Sequence, residues 1–108
     1  MLALGKRGDI CLHRQNTGVA KDQRTGQLVR FGTPGQGDLT GMLTVGGLGI
    51  HLELEVKTST GRQSEVQIQY QHMVERHGGV YLLCRSVADA VQGIDQAIAR
   101  IAQCLKQP

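Results

Sequence analysis

Residues 37–57 read GDLTGMLTVGGLGIHLELEVK, and the way this stretch folds back on itself decides the fold. Two consecutive glycines, Gly46 and Gly47, lie between alternating apolar runs, and glycine accepts the positive φ angles that a two-residue hairpin turn requires. With these glycines as the turn, Val45 pairs with Leu48, Leu43 with Ile50, Gly41 with Leu52 and Leu39 with Leu54, so one face is apolar or glycine throughout. The opposite face pairs Thr44 with Gly49, Met42 with His51, Thr40 with Glu53 and Asp38 with Glu55. A slip of one residue would mix the two faces, so their segregation fixes the parity of the register. Lys57 lies two residues beyond Glu55 and points the same way.

Facing carboxylates destabilise a sheet, because directly opposed side chains have Cβ atoms only about 4.5–5.5 Å apart. A divalent cation turns that cost into a binding site. Mg²⁺ prefers an octahedral shell of oxygen ligands and keeps several waters, so one or two carboxylates plus a substrate phosphate suffice. Such an ion would polarise a scissile phosphate and acidify a bound water. Lys57 could hold or deprotonate that water, or neutralise charge developing in the transition state. A Glu-x-Lys tripeptide alone is common on exposed strands, where its charges are merely solvated. The aspartate at the matching register shifts the reading toward metal-dependent phosphodiester hydrolysis.

The chain has 108 residues, which fits one domain with a core and leaves no room for a second. Hydrophobic residues make up 40%, but aromatics are 3% and tryptophan is absent, so the core rests on Leu, Val, Ile and Ala. Stacking platforms of the kind single-strand binders use are poorly supplied. Lys and Arg exceed Asp and Glu by 12 − 9 = +3, which permits contact with nucleic acid without requiring it. No apolar run reaches membrane-spanning length and the Met1-Leu2-Ala3-Leu4 start lacks the features of a signal peptide, so a soluble, cytoplasmic protein without a membrane partner is expected. Cys11, Cys84 and Cys104 form neither a C-x-x-C pair nor a zinc pattern and read as three buried, reduced thiols. His13, His51, His72 and His77 show no metal-ligand spacing. His51 shares the face of Glu53 and Glu55, where it is expected to be an ordinary polar side chain facing water or a contact to a phosphate.

Along the chain, the start to Arg7 reads as the tail of a helix, Ile10 to Arg14 as a strand, Gln15 to Gly26 as a polar loop and Gln27 to Phe31 as a second strand. Gly32-Thr33-Pro34-Gly35-Gln36-Gly37 is a cluster of breakers that turns the backbone just before Asp38. After the hairpin and a loop over Thr58 to Arg62, Ser64-Glu65-Val66-Gln67 is a capping box that opens a helix running to His77, with an apolar stripe of Val66, Tyr70, Met73 and Val74. Gly78-Gly79 ends it. Gln67 could either cap or reach the carboxylates. Val80 to Cys84 follows as a short buried strand, parallel to an earlier one because it arrives through a helical crossover. Ala88 to Leu105 is a closing helix with Val91, Ile94, Ile98, Ile101 and Leu105 at helical spacing, for core or dimer seam.

A helix, three mainly antiparallel strands, a crossover helix and a fourth strand is the α/β arrangement of the PD-(D/E)xK, or restriction-endonuclease-like, core: a mixed four-stranded sheet flanked by helices, order αβββαβ, here with an added C-terminal helix. Within it, Arg14-Gln15-Asn16-Thr17-Gly18, then the run from Val29 to Leu39, then Glu53-Leu54-Glu55-Val56-Lys57-Thr58, then Gln67 and Gly78-Gly79-Val80 resemble the VRR-NUC domain. The likeness spans Gly8 to Ala90 and joins four ordered motifs. It implies a stand-alone domain of the phage and bacterial type, related to the nuclease module of the Fanconi-associated nuclease, whose family cuts DNA selectively by structure.

Carried onto this chain, the resemblance implies that Asp38 and Glu55 bind Mg²⁺ or Mn²⁺, that the Val56 carbonyl completes the protein ligands, and that Lys57 serves the nucleophilic water. Gln67 matches the family's helix glutamine, which places it with the catalytic residues. The small stand-alone members look like homodimers that resolve four-way (Holliday) junctions, since two symmetric incisions need two sites. The alternatives are a flap or end-processing nuclease and a catalytically weak scaffold that binds branched DNA. One departure stands out: the family's first helix usually carries an acid near the site, and before Asp38 this chain has only Asp9 and Asp22. Arg14, Lys21, Arg24, Arg30 and Arg62 flank the site on loops or strand ends and are the candidates for DNA phosphates. No base-reading element is present and no organic cofactor is implied, which suits recognition of DNA shape.

Overall fold

Among the described residues of the computed structural model (7–15, 18–31 and 35–106), the elements in chain order are β1 (Ile10–Arg14), β2 (Gly18–Lys21), β3 (Leu28–Phe31), β4 (Leu39–Val45), β5 (Leu48–Val56), α1 (Glu65–Arg76), β6 (Val80–Cys84) and α2 (Val87–Leu105). The β4–β5 hairpin adopts the register its residue pattern dictates, from Val45↔Leu48 to Leu39↔Leu54. Both turn glycines take positive φ, 56° at Gly46 and 81° at Gly47, as a type I′ turn requires. β1 adds antiparallel to β4, and β6 adds parallel to β5, giving a mixed four-stranded sheet in the order β1-β4-β5-β6. The class is therefore α/β, with the crossover helix α1 joining the two parallel strands.

Alternation along β5 and β6 assigns each helix to a face. Leu52 and Leu54 of β5, with Val80 and Cys84 of β6, are buried with Leu43 and Val45 against Ala90, Ile94 and Ala97 of α2. Ile10, Leu12, Leu39, Ile50 and Leu82 pack around this cluster. The intervening residues, Glu53, Glu55 and Tyr81, occupy the other face, where α1 reaches them through Tyr70 and Gln67. One part of the hairpin's polar face is consequently covered, with Thr40, Glu53 and Glu55 buried and Glu53 at 0% exposure, while Asp38, Met42, Thr44, Gly49 and His51 stay exposed.

Local signals at the helix ends behave as read. Ser64 caps α1, its hydroxyl accepting from Gln67 N while the Gln67 side chain accepts from Ser64 N. At the far end Gly78 has φ 86° and Gly79 N donates to Val74 O, so the last carbonyls are satisfied by a left-handed glycine cap. Ser86 caps α2 through Asp89 N.

Three expectations are corrected. Residues 15–26 are more than a polar loop, because Gly18–Lys21 forms β2 and pairs with β3 in a separate two-stranded sheet. The Asp22 carboxylate accepts from Arg24 N and Thr25 N and so nucleates the connecting turn, which Gly26 completes at φ 74°. Val66 and Leu105, assigned to apolar stripes, are about half exposed, at 48% each, whereas Val74 of the α1 stripe is buried as expected. Of the three cysteines only Cys84 is buried, whereas Cys11 and Cys104 are free and exposed. The expected N-terminal helix falls on residues 1–6, outside the described residues, and Arg7 itself is non-helical.

Burial first, and then the charge of Asp89, push the Cys84 thiol up to about 11. Because the thiolate is the reactive form, Cys84 should be inert at pH 8. Titration of the native protein with an aromatic disulfide reagent should show two fast thiols and a third released only on denaturation. Three equally fast thiols would contradict the packing of β6 against α2.

Candidate functional site

The carboxyl end of β5 brings together the residues expected there. Glu55 is the penultimate residue of β5 and Lys57 follows the strand; Lys57 N donates to Cys84 O, so the backbone continues its pairing with β6 past Val56. Both side chains leave the same face, and Lys57 Nζ lies 3.4 Å from Glu55 Oε1. Asp38 sits one residue before β4 and is not part of the strand ladder as the hairpin count extended it. Instead its Oδ2 accepts from Val56 N at 2.7 Å, which keeps the carboxylate beside Glu55 by a different route. The Asp38 carbonyl accepts from Gln15 N at 2.9 Å, tying the same residue to the end of β1.

Gln67 performs both of the roles open to it. Its Oε1 accepts from Ser64 N at 2.9 Å, and this fixes its amide so that Nε2 points at Glu55 Oε1, 2.9 Å away. The capping box thus aims a donor from α1 at the carboxylate. Glu55 Oε2 accepts from Tyr81 OH at 3.3 Å. Both Glu55 oxygens therefore have partners, which is what allows a carboxylate to be buried here.

Electrostatics mark Glu55 as strained toward protonation. Burial first, and the neighbouring negative charge of Asp38 next, raise its carboxyl above the ordinary value, with Lys57 and the Tyr81 hydroxyl acting in the opposite direction. The Tyr81 hydroxyl is raised in turn, by burial and then by the Glu55 charge. Two neighbouring carboxylates that raise one another's cost of ionisation form an environment a cation relieves.

No family model, curated protein or solved structure matches this chain. Among the described residues no cluster of three or more His, Cys, Asp and Glu is placed to hold a metal. Asp38 and Glu55, with the Val56 carbonyl, could offer oxygens to a hard cation only if waters or a phosphate filled the remaining positions. Neither earlier acid supplements them. Asp9 is held by Arg7 at the opposite end of β4, where its carbonyl accepts from Thr44 N, and Asp22 is engaged in the β2–β3 turn.

Several residues of the site were not singled out by the sequence. Glu53 is wholly buried and bonded to Tyr70 OH, His51 Nε2 and Gly37 N, and Tyr81 supports Glu55. Their alternation with Leu52 and Leu54 was visible, but only the docking of α1 turns that face inward. Arg85 donates through Nη1 to the carbonyls of Thr58 and Gly61, both at 2.6 Å, fastening the loop that follows Lys57. His51 keeps the exposed position expected of it, half its side chain being accessible, and its Nε2 lies 3.1 Å from Glu53 Oε1.

Of the proposed phosphate contacts, Arg14 ends β1, Lys21 ends β2, Arg24 lies in the β2–β3 turn and Arg62 precedes α1; all four side chains are exposed, and none is ion-paired among the described residues. Arg30 belongs to β3, but its side chain lies outside the described part. Within the breaker cluster, residues 32–34 also lie outside it, while Gly35 takes φ 86°. No helix among the described residues is long and apolar enough to cross a membrane.

Proposed function

We propose that this chain is a Mg²⁺- or Mn²⁺-dependent DNA endonuclease with a PD-(D/E)xK core, hydrolysing phosphodiester bonds in branched DNA and acting on four-way junctions as a homodimer. The observation that carries the reading is the convergence of Asp38, Glu55 and Lys57 at one end of the sheet, with a helix-borne glutamine donating to Glu55. The sheet order and the parallel β5–β6 pair joined by α1 agree with that core, as does the likeness of the motifs to the VRR-NUC domain.

The donor set fits a hard divalent ion, since it consists of oxygens and includes two carboxylates; burial first, and the charge of Asp38 next, hold the Glu55 carboxyl above its ordinary pKa. Asp38, Glu55 and the Val56 carbonyl would hold the ion, which when bound would polarise the phosphate and acidify water. The chain's own residues do the rest. Gln67 and Tyr81 orient the Glu55 carboxylate, Asp38 is fastened to Val56 N, and the Lys57 ammonium stands where it can hold the attacking water or stabilise negative charge at the phosphate. Arg14, Lys21, Arg24, Arg30 and Arg62 supply phosphate contacts that follow DNA shape. Symmetric incision of a four-way junction needs a second copy of the site, hence the dimer.

The test is cleavage of four-way, flapped and linear duplexes in parallel, with Mg²⁺, Mn²⁺, Ca²⁺ or chelator, alongside light scattering. Paired cuts in the four-way junction, dependent on Mg²⁺ or Mn²⁺ and made by a dimer, are expected. Preferential cutting of the flap would reassign the substrate, and tight binding of branched DNA without cutting in either metal would leave a scaffold.

A further inference from the structure

Glu53 has no part in the chemistry described above, yet it is the most completely buried ionisable side chain of the molecule's described residues, at 0% exposure. Burial of a carboxylate is unfavourable unless its oxygens are bonded. Here Oε1 accepts from Tyr70 OH at 2.8 Å and lies 3.1 Å from His51 Nε2, and Oε2 accepts from Gly37 N at 2.9 Å. The last of these bonds matters most, because Gly37 immediately precedes Asp38. The backbone there lies hard against β5: a Cβ on Gly37 would come within 2.8 Å of Leu54 O. Asp38 itself is exposed and outside the strand ladder, so its position depends on such anchors. Glu53 holds it from the residue before, Gln15 N from its carbonyl, and Val56 N from its carboxylate.

We infer that Glu53 is a positioning residue for the cation site: through the Gly37 amide it sets the backbone at Asp38 and thereby the placement of the Asp38 carboxylate against Glu55. The inference rests on reading Asp38 and Glu55 as that site. A charged acceptor suits the task, because bonds from backbone amides to a carboxylate are shorter and stronger than those to neutral oxygens. Partners of this kind typically change metal affinity by about 10- to 100-fold when removed.

Three variants in the full chain separate positioning from packing. Glu53→Met fills the volume without an acceptor, Glu53→Asp keeps the charge but draws the oxygens back by a methylene, and Glu53→Gln keeps an oxygen within reach of Gly37 N. Two readouts need no catalysis: amide hydrogen exchange at Gly37 and Asp38, and the affinity for Mn²⁺ alone. Glu53→Met and Glu53→Asp should each exchange faster at Gly37 and bind Mn²⁺ about tenfold more weakly, with Glu53→Gln restoring most of both. Because Glu53→Asp is the milder change, it decides the matter if Glu53→Met does not fold. A folded Glu53→Asp with wild-type exchange and Mn²⁺ affinity would overturn the inference, as would a Glu53→Gln as impaired as Glu53→Met. If the wild type binds Mn²⁺ but cuts no DNA, the nuclease reading fails while this test still stands. If Asp38→Asn leaves Mn²⁺ binding unchanged, the cation site is elsewhere and the inference falls with it.

Discussion

Lys57→Ala is expected to lower the rate of junction cleavage by about 10²- to 10⁴-fold while leaving junction binding and the fold nearly intact. The fold should tolerate the change because Lys57 stands just past β5 and its stem remains partly accessible; what it loses is one ion pair at 3.4 Å. Glu55 keeps Gln67 and Tyr81 as partners, so its burial stays compensated and the cost should stay within about 1–2 kcal/mol. The proposed phosphate contacts, Arg14, Lys21, Arg24, Arg30 and Arg62, are left in place, so junction binding should fall only slightly. Lys57→Arg sharpens the result. It preserves the charge, but a planar guanidinium cannot replace a compact ammonium beside the attacking water, so folding and DNA affinity should be retained without recovery of rate. The comparison requires single-turnover cleavage, a binding isotherm in Ca²⁺ and a melting curve for each variant. Cleavage unchanged in Lys57→Ala would remove the basis for the nuclease assignment.

How much of this was legible before folding depends on whether the signal was local. The hairpin register follows from period-2 alternation and two adjacent glycines, all within one stretch, and it is matched from Val45↔Leu48 to Leu39↔Leu54, failing only at Asp38, which leaves the ladder. Ser64 with Gln67, and Gly78 after His77, are equally local and mark both ends of α1. The burial of Glu53 and Glu55 on the polar face was not legible, because it depends on which side of the sheet the crossover helix packs. Glu53 therefore looked like a solvated partner of Thr40, when Tyr70 and Gly37 enclose it. β2 was missed for a different reason: four residues, Gly18–Lys21, are too few to display a period, and their pairing partner β3 lies outside the main sheet. Cys11 shows the limits of residue type as a guide. It lies on β1 with the parity opposite to Ile10 and Leu12, so it is exposed while they pack on the core.

The same logic runs through the two glutamates of β5. Each is buried, each receives a tyrosine hydroxyl, and the two rings lie 6.3 Å apart with a 60° tilt between α1 and β6. One glutamate bonds the backbone before Asp38 and the other faces its carboxylate. Burial beside Glu53 raises the Tyr70 hydroxyl as burial beside Glu55 raises Tyr81. Both phenols consequently remain donors across the physiological range, a stable scaffold for acidic groups.

Gly41→Ala should destabilise the domain by about 3 kcal/mol, a fall in Tm of about 15 °C for a chain of this size. A Cβ at Gly41 would collide with the carbonyl oxygen of Cys11 and lie 2.7 Å from its carbonyl carbon and 2.9 Å from Leu12 Cα. All three atoms are backbone, so no rotamer change relieves the clash; β1 must move away from β4. Because β1 is an edge strand held by β4 alone within the sheet, that movement breaks the pairing from Ile10↔Leu43 to Arg14↔Leu39 and uncovers Ile10 and Leu12. It also carries off Gln15, whose amide holds the Asp38 carbonyl, so cleavage should decline with stability even though Gly41 touches no reacting group. Gly49→Ala is the control on the neighbouring strand. Its Cβ would meet only the Met42 sulfur, at 3.7 Å, and the change should fall within about 0.5 kcal/mol of wild type. Urea denaturation of the two variants, with amide exchange over Ile10–Arg14, measures the difference. Equal stability would mean that β1 and β4 do not approach as closely as their register requires.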